Sequence, residues 1–267
     1  MDTTTVTRPR RPPDWSAVNW RRGLPFVGIA IVLAVWTLGH RFTAYLPPPT
    51  TVAGDAMELI GQPDTYGHII ASVRRLVIGL AGGFLAAFLV SMAMRVNEWW
   101  RRFFQPYVFV SLTIPSLAVS LFALMIFGLS EIGVYVSVGV IVFPFIVVSL
   151  NEGFADLDAQ LSEMARAYRF SPWQRIRHVA LPEMTPFLFS ALRNSYALAW
   201  KIVVITEVFS QQIGIGSEYK RSYDYFQLSQ LVVWVVFFLI VVFAVEFGVF
   251  RPWERRVFRW RRAKANE

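Results

Sequence analysis

Residues 76–94 form a run of 19 without a single charge, one of six long apolar stretches in the chain. A bilayer's hydrocarbon core, ~30 Å thick, takes ~20 apolar helical residues to cross. Lipid offers no partner to an unpaired backbone group, so such stretches must be helical. The others are residues 24–42, 103–130, 132–150, 184–210 and 228–250. The third, at 28 residues, has enough for a span and an interfacial turn. The fifth is interrupted by Arg193, Lys201 and Glu207, and the sixth contains Glu246. The expected fold class is all-α: a polytopic membrane protein with six transmembrane helices. Composition agrees, with 55% hydrophobic and only 16% charged residues, against ~25% charged in ordinary soluble proteins. A disordered chain, a coiled coil and a water-soluble nucleic-acid binder are excluded. There is no cysteine, so disulfides, thiolate metal sites and a Cys nucleophile are excluded too.

The net charge of +8 sorts by side of the membrane. With the N-terminus inside, the inner segments carry 19 of the 26 Lys and Arg residues and the outer ones 5, among them Arg74 and Arg75. Basic residues mark the cytoplasmic side, so both termini are expected in the cytoplasm, with the basic residues touching lipid headgroups and no nucleic acid. The expected organisation is a disordered cytoplasmic lead (1–23), a six-span domain (24–250) and a basic cytoplasmic tail (251–267). No small-residue cleavage site follows the first span, so it is expected to stay in the chain. The Pro47-Pro48-Pro49 run cannot be helical throughout. Residues 52–75 read as a helix lying near the outer surface.

The longest inner connection, 151–183, is patterned where a simple loop would not be. Leu161, Met164, Ala165 and Tyr168 recur at i, i+3, i+4, i+7 on one helix face. Ser171-Pro172-Trp173-Gln174 supplies an N-cap, a proline at the first helical position and Gln at N3, the signature of a capping box. That second helix is expected to reach about Val179 and stop before Leu181-Pro182. Two short amphipathic helices joined by a defined turn suit docking to a partner or lying on the membrane surface.

The stretch from Glu163 through Ala165 to Arg169, followed after nine residues by Val179-Ala180-Leu181-Pro182, resembles the "EAA" loop of bacterial ABC importer permeases (E-A-A, three residues, G, nine residues, I-x-L-P). Leu46-Pro47-Pro48-Pro49 resembles the family's L-P-S-P segment. Ile114-Pro115-Ser116-Leu117-Ala118 through Phe127-Gly128 resembles its I-P-P-L-A to W-F-G stretch. Leu192-Arg193, Ala199-Trp200 and Glu207 resemble its fifth span. The resemblance covers about residues 46–262 and is closest to the nitrate/sulfonate/taurine type. The chain departs from the pattern at Met164, at Leu121 and Ile126 in the third span, and at Arg169, where the family has Gly. An Arg there either keeps helical angles or bears left-handed strain of ~1–2 kcal/mol, so either the bend differs or Arg169 contacts an acidic partner site.

The resemblance implies a non-catalytic permease subunit of the bacterial inner membrane, paired as a homodimer. It also implies a separate ATPase chain that holds ATP and Mg, and an extracytoplasmic solute-binding protein. The coupling residues it implies are Glu163, Met164, Ala165, Tyr168, Arg169, Ser171, Pro172, Trp173, Leu181 and Pro182. The solute is expected to be a small anion of the sulfonate, taurine or nitrate kind.

Pathway candidates are read from the spans. Intramembrane charges usually face a protein interior or a water-filled path. Lys201 thus either lines a path favouring an anion or pairs with another span, and Glu207 reads as a gate, a structural bond or a solute contact. Pro115 can kink the third span, and Ser116 and Ser120 follow it. Glu246 reads as a structural partner of nearby basic residues, while Gly82-Gly83 suit close helix packing within or between subunits. No phosphate-loop motif, H-E-x-x-H motif or other catalytic or metal constellation is present; His40, His68 and His178 are scattered. The rival reading is an ion-coupled secondary transporter or channel without an ATPase, in which span five relays ions.

Overall fold

The computed structural model describes residues 20–43, 45–210 and 212–257. The expected N-terminal lead lies almost wholly outside the described residues, as do the last ten residues of the basic tail. The described residues are mostly helical, without a strand.

Helix α1 (Trp20–Phe42) leads to α2 (Pro49–Ile60). The two are tied where the Trp36 indole donates to the Pro47 carbonyl at 3.0 Å. The expected surface helix over 52–75 is divided instead. Helix α2 ends at Gly61, and α3 (Pro63–Val96) starts two residues later with proline in its first turn. Helix α3 therefore begins 13 residues before its charge-free run and carries Arg74 and Arg75 inside it.

The third apolar stretch is not one straight span. Helices α4 (Glu98–Thr113) and α5 (Ser116–Phe127) meet at 103°. Pro115 pushes the preceding residue out of the helical region, and Ile114 is extended at φ −71°, ψ 130°. Pro144, by contrast, sits inside α6 (Glu131–Ala155) without ending it.

Helix α7 (Ala159–Ala167) and the short α8 (Pro172–Arg175) follow. The expected stop before Leu181-Pro182 does not occur. A π-helical turn, Ile176–Ala180, carries α8 directly into α9 (Leu181–Ser210). Helix α10 (Ile215–Asp224) turns from α9 by 51°, and α11 (Leu228–Val245) runs through a second π-turn, Glu246–Phe250, into α12 (Arg251–Val257). Each π-turn lies just before a proline, Pro182 or Pro252. A proline ring clashes with the carbonyl four residues back. The wider i→i+5 turn makes room for it, so the helix survives.

The packing centre is α6, held between α3 and α9 with Val138, Val142, Ile146, Val147 and Leu150 buried. The α3–α6 seam needs glycine. A Cβ on Gly83 would stand 2.7 Å from the Gly139 carbonyl oxygen, and one on Gly79 would stand 2.7 Å from Val138 Cβ. Gly83 thus packs within the chain, whereas Gly82 faces open space. Among the described residues, α3, α6 and residues 228–256 are each long and apolar enough to cross a membrane. The bent pairs α4–α5 and α9–α10 raise that number to five.

Candidate functional site

Three parts of the fold bear the polar chemistry: the α7–α8 segment, the junction of α3, α6, α9 and α10, and one face of α9.

The α7–α8 segment is locked at its caps. Asp158 accepts from the Gln160 N–H at 2.7 Å to open α7. The helix closes with Arg169 N–H donating to the Arg166 carbonyl and Phe170 N–H to the Ala165 carbonyl, both at 2.9 Å. That is the paired bonding of a Schellman motif, with a left-handed residue just past the helix end. Arg169 takes that position at φ 56°, so it bears the strain that glycine would avoid. The capping box forms as expected: Ser171 N–H donates to Gln174 Oε1 at 2.8 Å, and Gln174 N–H to Ser171 Oγ at 3.3 Å.

On the patterned face of α7 only Ala165 is buried. Leu161 and Met164 are exposed, Tyr168 is 73% exposed, and beyond the turn Trp173 is 67% exposed. Ile176 and Leu181 continue the exposed apolar surface. Glu163 and Pro182 are exposed as well. Glu163 forms no ion pair with Arg166 among the described residues.

The junction of α3, α6, α9 and α10 holds what the sequence reading missed. Arg75, only 2% exposed, lies between two carboxylates. It meets Glu131 bidentately, Nη2 to Oε1 at 2.6 Å and Nε to Oε2 at 3.0 Å, and its Nη1 reaches Glu207 Oε1 at 2.7 Å. Glu207 is wholly buried. Its carboxylate lies 2.8 Å from Ser72 Oγ and accepts from the Gly216 N–H at 2.9 Å, while Ser72 Oγ accepts from the Ile215 N–H at 2.9 Å. Two of the free N–H groups opening α10 are thereby satisfied, and the carboxylate faces the positive end of the helix dipole. Glycine is required beside it: a Cβ on Gly214, at φ 147°, would fall 2.6 Å from Glu207 Oε2. The available signal was Glu207 itself, because a carboxylate in an apolar helix demands a partner.

The remaining pathway candidates separate. Ser120 is buried, with Thr206 Oγ1 3.3 Å from its hydroxyl. Pro115 is exposed and Ser116 half-buried at the start of α5. Arg193 on α9 bonds Glu246 and, at 3.1 Å, Glu254, so Glu246 holds a basic residue near the end of the sixth apolar stretch. Lys201 is exposed, with no partner among the described residues.

Comparison with known proteins decides what this arrangement belongs to. The family model "Binding-protein-dependent transport system inner membrane component" matches residues 79–258, from within α3 through α12. The chain belongs to that family. This permease is 26% identical over 260 residues to a putative aliphatic sulfonates transport permease of Bacillus subtilis, covering 97% of this chain and 94% of that one. It is 22% identical to the taurine transport system permease of Escherichia coli, covering 87% of each chain. Among solved structures, the fold matches an inward-facing MetNI methionine ABC transporter at a TM-score of 0.62 and 20% identity, covering 71% of this chain and 94% of that one. The permease is thus an all-helical membrane component of an ABC importer with the type I fold.

Proposed function

We propose that this permease imports a small anion of the sulfonate class, coupled to a separate ATPase through the α7–α8 segment. The observation that carries the coupling is the exposed apolar surface of Leu161, Met164, Tyr168, Trp173 and Ile176 on a backbone locked by a Schellman motif and a capping box. Exposed aromatic anchors on a stiff support are what a partner's cleft engages. Glu163 and Arg169 flank this surface and supply its charge. ATP and Mg bind the partner chain. The sulfonate and taurine permeases among the relatives support the solute class.

Two copies pair around a path lined by the exposed polar side of α9 and the start of α5 near Pro115 and Ser116. Ser120 and Glu207 act from behind that wall, in its packing. A solute-binding protein delivers outside, and both termini lie in the cytoplasm of a bacterial inner membrane.

The test is uptake by the full complex in proteoliposomes with ATP inside. Trp173→Ala and Glu163→Lys are each expected to cut uptake at least ~10-fold, the equivalent of 1.4 kcal/mol at an anchor. Co-purified ATPase is expected to fall with it, while membrane insertion is unchanged. Full ATP-driven uptake in both variants would sink the coupling assignment. Uptake that survives without ATP on an ion gradient would instead favour a secondary transporter.

A further inference from the structure

Helix α9 turns a polar stripe out of the chain. Ser190, Asn194, Ala197 and Lys201 are all exposed, at spacings of 4, 3 and 4 that keep them on one face. None of the three polar side chains has a partner among the described residues. The lipid-suited face of α3 is the opposite in character: Val77, Ile78, Leu85, Leu89 and Met92, all large and apolar. The other cation of α9, Arg193, is bonded to Glu246 and Glu254.

Depth strengthens the contrast. From Arg75 to Arg95, twenty helical residues span about 30 Å, the thickness of a bilayer core. Glu207 lies level with Arg75 through their ion pair, and Lys201, six residues further in, is about 9 Å deep. Helical side chains tilt toward the helix N-terminus, which for α9 is the α8 end, so Lys201 leans away from the nearer boundary. Facing lipid costs Lys about 2.5–3.5 kcal/mol at the bilayer centre, and a part of that at this depth. A water-filled path removes that cost.

We propose that Ser190, Asn194 and Lys201 form the solute-selecting wall of the path. The Lys201 ammonium holds an oxyanion head, and Asn194 and Ser190, about 10 and 16 Å further in by helical rise, receive it by hydrogen bonds as it moves inward. In the paired permease, two such walls present two ammonium groups to one anion. This selection of oxyanions over cations lies within the permease itself and rests on the import reading above.

The absence of native cysteine makes the test direct. Ser190→Cys, Asn194→Cys and Ala197→Cys are made singly in the full complex in inverted and right-side-out vesicles, with Leu85→Cys as the lipid-facing control. Each is probed with a sulfonate-bearing and a trimethylammonium-bearing methanethiosulfonate reagent. Stripe positions are expected to label and the control not. At Asn194→Cys the sulfonate reagent is expected to gain on the cation by about fourfold from one charge about 10 Å away in water, and to lose that advantage when Lys201→Gln is added. Stripe positions labelling no faster than Leu85→Cys would overturn the proposal, as would a charge preference indifferent to Lys201→Gln. Neither result depends on ATPase docking. Loss of coupling in Trp173→Ala with a silent stripe would therefore fault this inference and leave the import reading standing.

Discussion

At the scale of single residues, the Arg75 ion cluster and Arg169 carry the sharpest consequences. Removing one partner of a buried ion pair costs up to about 3–5 kcal/mol, less where a second partner remains, as Glu131 does for Arg75. Glu207→Ala takes one of two carboxylates from Arg75, which keeps Glu131, and strands the Gly216 N–H of α10. It is expected to lower the thermal midpoint of the detergent-purified permease sharply. Lys220→Ala, which removes an exposed i,i+4 pair with Asp224, is expected to move it little. Equal shifts from the two variants would contradict the clamp. Arg169→Gly releases left-handed strain of ~1–2 kcal/mol while adding unfolded-chain entropy of ~0.5–1 kcal/mol. The same thermal melt is expected to rise slightly. If Arg169 also touches an acidic partner site, ATPase co-purification falls while stability rises, which separates its two roles. The cluster itself was half legible in the sequence. Glu207 announced a need for a partner, but Arg75 lies 132 residues away and looked like a topology signal at a span boundary. Spacing along one helix cannot show a bond between three.

At the scale of elements, short-range chemistry was readable and tertiary context was not. The i, i+3, i+4, i+7 face of α7 and the Ser171–Gln174 box rest on contacts within one turn, and both form. The Leu181-Pro182 stop failed because a π-turn absorbs the proline, and the third stretch bends by 103° because Ile114 precedes Pro115. Whether a proline ends, kinks or merely widens a helix depends on what packs against it. The α3–α6 seam gives the test at this scale. Gly83→Leu drives a side chain into the Gly139 backbone and is expected to cost about 1–3 kcal/mol or displace the helix. Gly82→Leu enters open space and is expected to leave the folded yield by fluorescence-detected gel filtration near wild type. A reversed order would mean that Gly82, not Gly83, faces a neighbour in the assembled protein.

At the scale of the whole molecule, the charge distribution and the apolar stretches agree on one arrangement. Large apolar side chains on α1, α3 and α11, such as Val35, Leu89 and Ile240, are exposed because the surrounding medium is lipid, which a chain in isolation does not display. The bias of basic residues toward the inner segments predicts that a fluorescent protein fused after residue 267 lights up, whereas alkaline phosphatase fused there stays inactive. The opposite pair of results would invert the orientation. The apolar stretches, the helical class and the family were open to a reader of the sequence. Which polar residues are buried and which face out was not, because that depends on neighbours far along the chain.

The continuous helix from α8 through α9 has a mechanical meaning. Its α10 end is pinned by the Glu207 clamp, and Trp173 stands at its other end. From Glu207 to Trp173 is roughly 50 Å along the axis, and from Glu207 to Lys201 about 9 Å. If the rod swings about the clamp, these are moment arms in a ratio of more than about five to one. A push of about 5 Å at Trp173 would then move Lys201 by under about 1 Å. A pivot at the clamp would make the motion asymmetric: the α8 end would swing while Lys201 holds its place.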